Sequence, residues 1–123
     1  LALQDSQVVD AERLFNLTAI ALAAAVRTIQ LVDARDGSPR PASDVVDDVF
    51  AIALERLSRK LEGATAKQKN PHGSLAFVAW IAARLGGWNC YYGKPGPKTM
   101  HLGWTQLATT LAGYALATHG KNP

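Results

Sequence analysis

Apolar residues fall along this chain in four blocks with helical spacing, separated by stretches rich in Gly, Pro or polar residues. The first predicted helix covers residues 7–34, with Ser6 as N-cap and Asp10 and Glu12 near the positive end of the helix dipole. Within it, "LTAIALAAAV", residues 17–26, is apolar on every side apart from Thr18, the pattern of a helix surrounded by protein or by bilayer. A membrane span needs about 20 apolar residues. Asn16 and Arg27 bracket the run more closely than that, so the expectation is a core helix. "RDGSPRP", residues 35–41, then breaks the periodicity.

A second helix is predicted over residues 43–61, started by Ser43 or Ala42 after Pro41. Asp44, Asp47 and Asp48 crowd its first turns and Arg56, Arg59 and Lys60 its last, which matches the macrodipole at both ends. The three aspartates are therefore read as helix starters rather than as metal ligands. Val46, Val49, Phe50, Ala53, Leu54, Leu57 and Leu61 recur at helical steps and predict one buried stripe. The polar loop "GATAKQKNPHG", residues 63–73, carries an Asn-Pro turn signal, with Lys67 and Lys69 exposed on it, either simply solvated or free to touch a partner. Ser74 caps a third, short helix, "LAFVAWIAARL", residues 75–85, apolar all round until Arg84 and hence buried.

The stretch "GGWNCYYGKPGPK", residues 86–98, raises the question of a phosphate loop. A P-loop needs Gly-x-x-x-x-Gly-Lys followed by Ser or Thr, entered from a strand. Here Gly87 precedes Gly93-Lys94 by six residues, Pro95 stands where the hydroxyl belongs, and a helix comes first, so a nucleotide loop is excluded. Arg84, Gly86 and Trp88 instead fit a glycine-terminated helix end, with Gly86 in the left-handed role. "YGKPGPK" is read as hinge geometry that sets the angle of the next helix.

That last helix is predicted over residues 98–119. It has no formal charge between Thr99 and Thr118, but five threonines, Gln106, His101 and two glycines separate it from a membrane span. Met100, Trp104, Leu107, Leu111 and Tyr114 follow steps of four, three, four and three, a heptad seam barely two heptads long. Ala108, Ala112, Ala115 and Leu116 line another side. One side must then fill the chain's own core and the other face a partner such as a second copy, or else both sides are internal.

Length and composition add bounds. At 123 residues, 48% hydrophobic and 19% charged, the chain is sized and composed as one globular domain. One cysteine, Cys90, cannot form an internal disulfide, which fits a reducing, intracellular setting, and "LALQDSQVVD" does not read as a signal peptide. The net charge of +3 is unevenly placed: residues 1–62 hold all ten carboxylates against seven cations, whereas residues 63–123 hold six cations and no carboxylate. The second half therefore lacks any acid to bind Mg²⁺ or act as a general base. It could face an anion such as a DNA backbone, or its dispersed cations could need no ligand. A small enzyme is the weakest reading, because His72, His101 and His119 have no acid partner nearby in sequence.

Asp5-Ser6-Gln7, Ala11-Glu12-Arg13-Leu14, Gln68-Lys69-Asn70-Pro71 and Ala83-Arg84-Leu85-Gly86-Gly87-Trp88 carry a resemblance. Over residues 2 to about 118 the sequence resembles the C-terminal region of bacterial cut-and-paste DDE transposases of the insertion-sequence-four type. In that family an RNase-H-like catalytic core holds divalent metal, expected to be Mg²⁺, on two Asp and one Glu, the Glu lying in a Tyr/Arg/Glu/Lys signature. The resemblance places that signature before Leu1 and matches none of the ten carboxylates to the triad.

The resemblance thus implies an all-α, non-catalytic fragment without catalytic residues, metal or cofactor of its own. Residues 1–36 would be the helix that closes the catalytic core and residues 37–123 a helical dimerisation domain, in a cytoplasmic bacterial protein with no membrane association. Family subunits dimerise to synapse two transposon ends, largely through the C-terminal helix, which here falls on Met100, Trp104, Leu107, Leu111 and Tyr114. The stretch after the catalytic Glu lies near transposon-end DNA in the family. That region is residues 3–10 here, with Gln4 as a DNA contact beside Lys67 and Lys69, although Ala2 stands where the family often has Arg. The reading from a different class is an independent helical nucleic-acid-binding module that uses the basic second half.

Overall fold

A computed structural model describes residues 2–91 and 93–120, with side chains described over 8–91 and 93–118. Four α-helices carry it: α1 (Ala2–Ala34), α2 (Ala51–Leu61), α3 (Leu75–Leu85) and α4 (Pro97–Gly120). There is no β-strand among the described residues, and the protein is all-α. The single isolated bridge, between Pro41 and Ser74, pins the two long loops together through Ala42 N–H donating to Gly73 O and Leu75 N–H donating to Arg40 O.

α3 is the centre. Its nine residues from Leu75 to Ala83 are all buried, as an all-round apolar pattern requires, and the other three helices pack around it. Ser74 caps it as expected, its hydroxyl accepting from Phe77 N–H at 3.1 Å. Its C-terminus closes by a Schellman pattern, in which Trp88 N–H donates to Ala83 O and Gly87 N–H to Arg84 O. Here the expectation shifts by one residue. Gly87, with φ of 102°, holds the left-handed position, whereas Gly86 is right-handed and serves close packing, since a Cβ there would strike the Thr99 carbonyl.

α1 differs from its expected role. It begins at Ala2, so Ser6 lies inside it rather than capping it. Only its last turns enter the core, through Thr28, Leu31 and Ala34, while residues 8–23 are exposed throughout, Phe15 to 74% and Leu17 to 64%. The expected core helix is thus a core helix at one end only. The reason is length: at 1.5 Å per residue α1 runs about 50 Å and α3 about 16 Å, so the rest of the described chain cannot cover it. By length and composition α1 is also apolar enough to cross a bilayer, its most apolar window within Val8–Ala34 having a hydropathy of 1.5.

The second predicted helix is also broken. Residues 42–50 form two 3₁₀ turns (Ala42–Asp44 and Asp48–Phe50), and α2 starts only at Ala51. Asp47 is extended and its carboxylate accepts from Val49 N–H at 3.1 Å, so it caps the second turn instead of continuing a helix from Ser43. One member of the expected stripe, Val49, is consequently turned out to 71% exposure, while Val46 and Leu54 stay buried.

α4 lies along α3 at very close range. Gly103 permits this, because a Cβ at that position would collide with the Ala82 carbonyl. The segment leading into α4 is tied to the end of α1, with Arg35 donating to Pro95 O at 2.7 Å and Lys94 meeting Asp36 at 2.9 Å. These contacts fix where residues 94 and 95 lie before α4 begins.

Candidate functional site

The heptad seam of α4 faces inward. Met100 and Leu107 are fully buried and Leu111 nearly so, all within the core formed with α3. Trp104 is half-buried beneath the Arg27 guanidinium of α1, 5.7 Å from its ring centroid, and Tyr114, 38% exposed, sets its ring edge-on to Phe50 at 6.1 Å. The assignment of Met100, Leu107 and Leu111 to a dimer interface is therefore corrected, whereas Trp104 and Tyr114 keep partly exposed rings. Their spacing marks a helix-packing seam, and the partner is the chain's own α3, α1 and α2 region.

The opposite side of α4 is open. Leu102, Thr105, Gln106, Ala108, Thr109, Ala112, Gly113 and Leu116 are exposed, and no formal charge interrupts residues 99–118. Four threonine hydroxyls are spent within the helix: Thr105, Thr109, Thr110 and Thr118 each donate to the carbonyl four residues earlier at 2.9 Å. With those donors used, the outward side presents mostly methyl groups and a bare Cα, a surface another helix can approach closely.

Lys67 and Lys69 stand outward because their neighbours turn inward. Gln68 donates to Phe77 O at 3.2 Å and to Ser58 Oγ at 3.4 Å, and its carbonyl oxygen accepts from both the backbone and side-chain N–H groups of Asn70. The loop alternates, and both lysines reach solvent. Glu62 comes within 4.0 Å of Lys67. These lysines border an open cleft of about 220 Å³ whose other walls are Thr65, Asn70, Trp80, Trp88 and Cys90.

Arg84 braces that cleft from behind. Its Nε and Nη2 donate to Leu61 O at 3.3 and 3.1 Å, and its Nη1 donates to Trp88 O, so one guanidinium joins the ends of α2 and α3 to the loop that carries Trp88. Trp88 Nε1–H donates to Gly93 O at 3.1 Å. No local spacing announces such a staple, because its partners are backbone carbonyls far apart in sequence. The Arg84 staple, the close approach at Gly103 and the cleft that Trp80 and Trp88 both line are the features that reading the sequence did not find.

His72 does have an acid partner in space: its Nδ1 lies 3.0 Å from Glu55, on the wall of a second cleft of about 140 Å³ that also includes Asp47 and Asp48. Both partners are well exposed and the ring rests against Phe77. Among the described residues, no group of three or more His, Cys, Asp or Glu is arranged to hold a metal ion. The side chains of Gln4 and His119 lie outside the described residues. Comparison with protein-family models, with curated proteins and with solved structures finds no match.

Proposed function

We propose that this chain is a non-catalytic part of a bacterial DNA transposase, acting in the cytoplasm to hold two subunits together while transposon ends are synapsed. The observation that carries the reading is the open side of α4, free of formal charge and made mostly of small and apolar residues, on a helix whose other side already fills the core. The interface so proposed comprises Leu102, Ala108, Ala112 and Leu116 rather than the buried seam. The uncovered apolar length of α1 supports the same reading, since a helix exposed over residues 8–23 suits one that closes a larger core. Metal chemistry would then belong to that core and not to this fragment.

Sedimentation equilibrium from micromolar to near-millimolar concentration tests it. The expected result is a dimer that Ala112→Glu and Leu116→Glu each dissociate with helicity retained, while Phe15→Glu does not. A chain monomeric at every concentration would overturn it. So would a dimer lost only on Phe15→Glu, which would put the contact on α1.

A second reading, nucleic-acid binding, is favoured by the outward pair Lys67 and Lys69 in a half of the chain without a carboxylate.

A further inference from the structure

We infer that the cleft between the 63–70 loop and the end of α3 is a binding site for an unstacked nucleotide of single-stranded DNA, with its base against indole and its phosphate on lysine. The inference rests on the nucleic-acid reading and specifies the form of its ligand. Three independent features converge. Trp88 is half-buried and Trp80 sits at the cleft's inner wall with 7% of its surface exposed, so apolar ring surface lines a cavity that opens to solvent. Lys67 and Lys69 border the same cavity, and Lys69 has no ion-pair partner among the described residues. Asn70 and Thr65 add polar groups at the rim, and the Asn70 side-chain N–H is held by Gln68, which sets the amide's orientation.

Aromatic rings beside cations are how proteins hold bases outside a duplex. Every base offers a π-face for stacking, and the backbone follows the positive charge. A paired base cannot expose that face, so the cleft's chemistry favours a single strand over a duplex. No carboxylate lines the cleft to repel a phosphate, although Glu62 comes within 4.0 Å of Lys67. Arg84 holds the walls in register from within the fold, so ligand binding does not have to order them.

Cys90, the chain's one cysteine, also lines the cleft and is partly exposed, which makes it a built-in reporter. The experiment follows two signals on the wild-type chain at low salt while a twelve-residue oligothymidylate is added: tryptophan fluorescence, and the rate at which a maleimide labels Cys90. Both should fall. The paired variant Lys67→Ala/Lys69→Ala, altered only at exposed loop positions, should bind about tenfold or more weakly. Its log–log salt slope should be shallower by about 0.7, for the one phosphate that the two lysines hold. Trp88→Ala should cost at least about fivefold.

Labelling of Cys90 that stays unchanged under saturating oligothymidylate would overturn the site. So would a lysine-pair variant with unaltered affinity and slope, or no binding at all. Equal binding of a duplex of the same length with Cys90 unprotected would overturn the cleft and leave general DNA binding standing. Protection of Cys90 by thymidine monophosphate at the same concentration as the oligonucleotide would replace the strand by a free nucleotide.

Discussion

Gly103 rests directly on the carbonyl of Ala82, with no room between them for a methyl group. This contact sets the distance at which α4 crosses α3, and every buried residue of the α4 seam depends on that distance. Gly103→Ala is expected to destabilise the protein by about 1–3 kcal/mol through overpacking, despite a gain in helix propensity of about 1 kcal/mol. Gly113, in the same helix, has nothing within 4 Å of the position a Cβ would take. Gly113→Ala should therefore raise the urea midpoint, by about 0.5–1 kcal/mol in stability, where Gly103→Ala lowers it.

Arg84 makes a second contrast. Its guanidinium donates to Leu61 O and Trp88 O, two carbonyls that a single ammonium cannot bridge in the same fork geometry. Arg84→Ala should cost about 1.5–3 kcal/mol in denaturant unfolding, and Arg84→Lys should recover less than half of that loss.

The inward seam and the outward side of α4 should separate cleanly. Leu107→Ala, at a fully buried position, is expected to lose about 2–5 kcal/mol by cavity formation. Leu116→Ala, at a position 76% exposed, should change monomer stability by less than about 0.5 kcal/mol. Thermal unfolding of dilute samples, where association does not contribute, reads both.

Hydrogen exchange should map the unequal burial of the helices. Amides of α3, enclosed on all sides, should exchange slowest, near the global unfolding free energy. Those of residues 8–23 in α1, which have no buried side chain among them, should exchange fastest of the helical amides. Equal protection in the two stretches would show that α1 is covered in solution.

The position of α3 was legible because its signals are local: Ser74 caps, a glycine and Trp88 close the helix, and the apolar pattern runs unbroken between them, although the left-handed glycine is Gly87 and not Gly86. The same local logic failed around Asp47, where a carboxylate that suits a helix start also suits a tight turn, and only tertiary packing decides between them. It failed on the α4 seam for another reason. Spacing of four and three identifies a side that packs, and Met100, Leu107 and Leu111 do pack, but spacing does not say against which molecule. For α1 the pattern predicted enclosure on all sides, yet only Thr28, Leu31 and Ala34 near its end are buried, because an all-round apolar pattern does not say what covers it. The cleft beside Trp88 was out of reach because its walls are 23 residues apart in sequence at Thr65 and Trp88, and are joined by backbone carbonyls.

A helix with no solvent side has a further meaning for how this protein can change. From Leu75 to Ala83 every side chain is enclosed, so each replacement there alters packing volume, whatever the protein binds. The open side of α4 and the outward lysines are held in place by main-chain geometry, at Gly103 and through Gln68, and carry little of the core themselves. Leu102, Ala112, Lys67 and Lys69 can therefore be replaced without a cost in folding, while the α3 sequence stays confined to residues of nearly the same size.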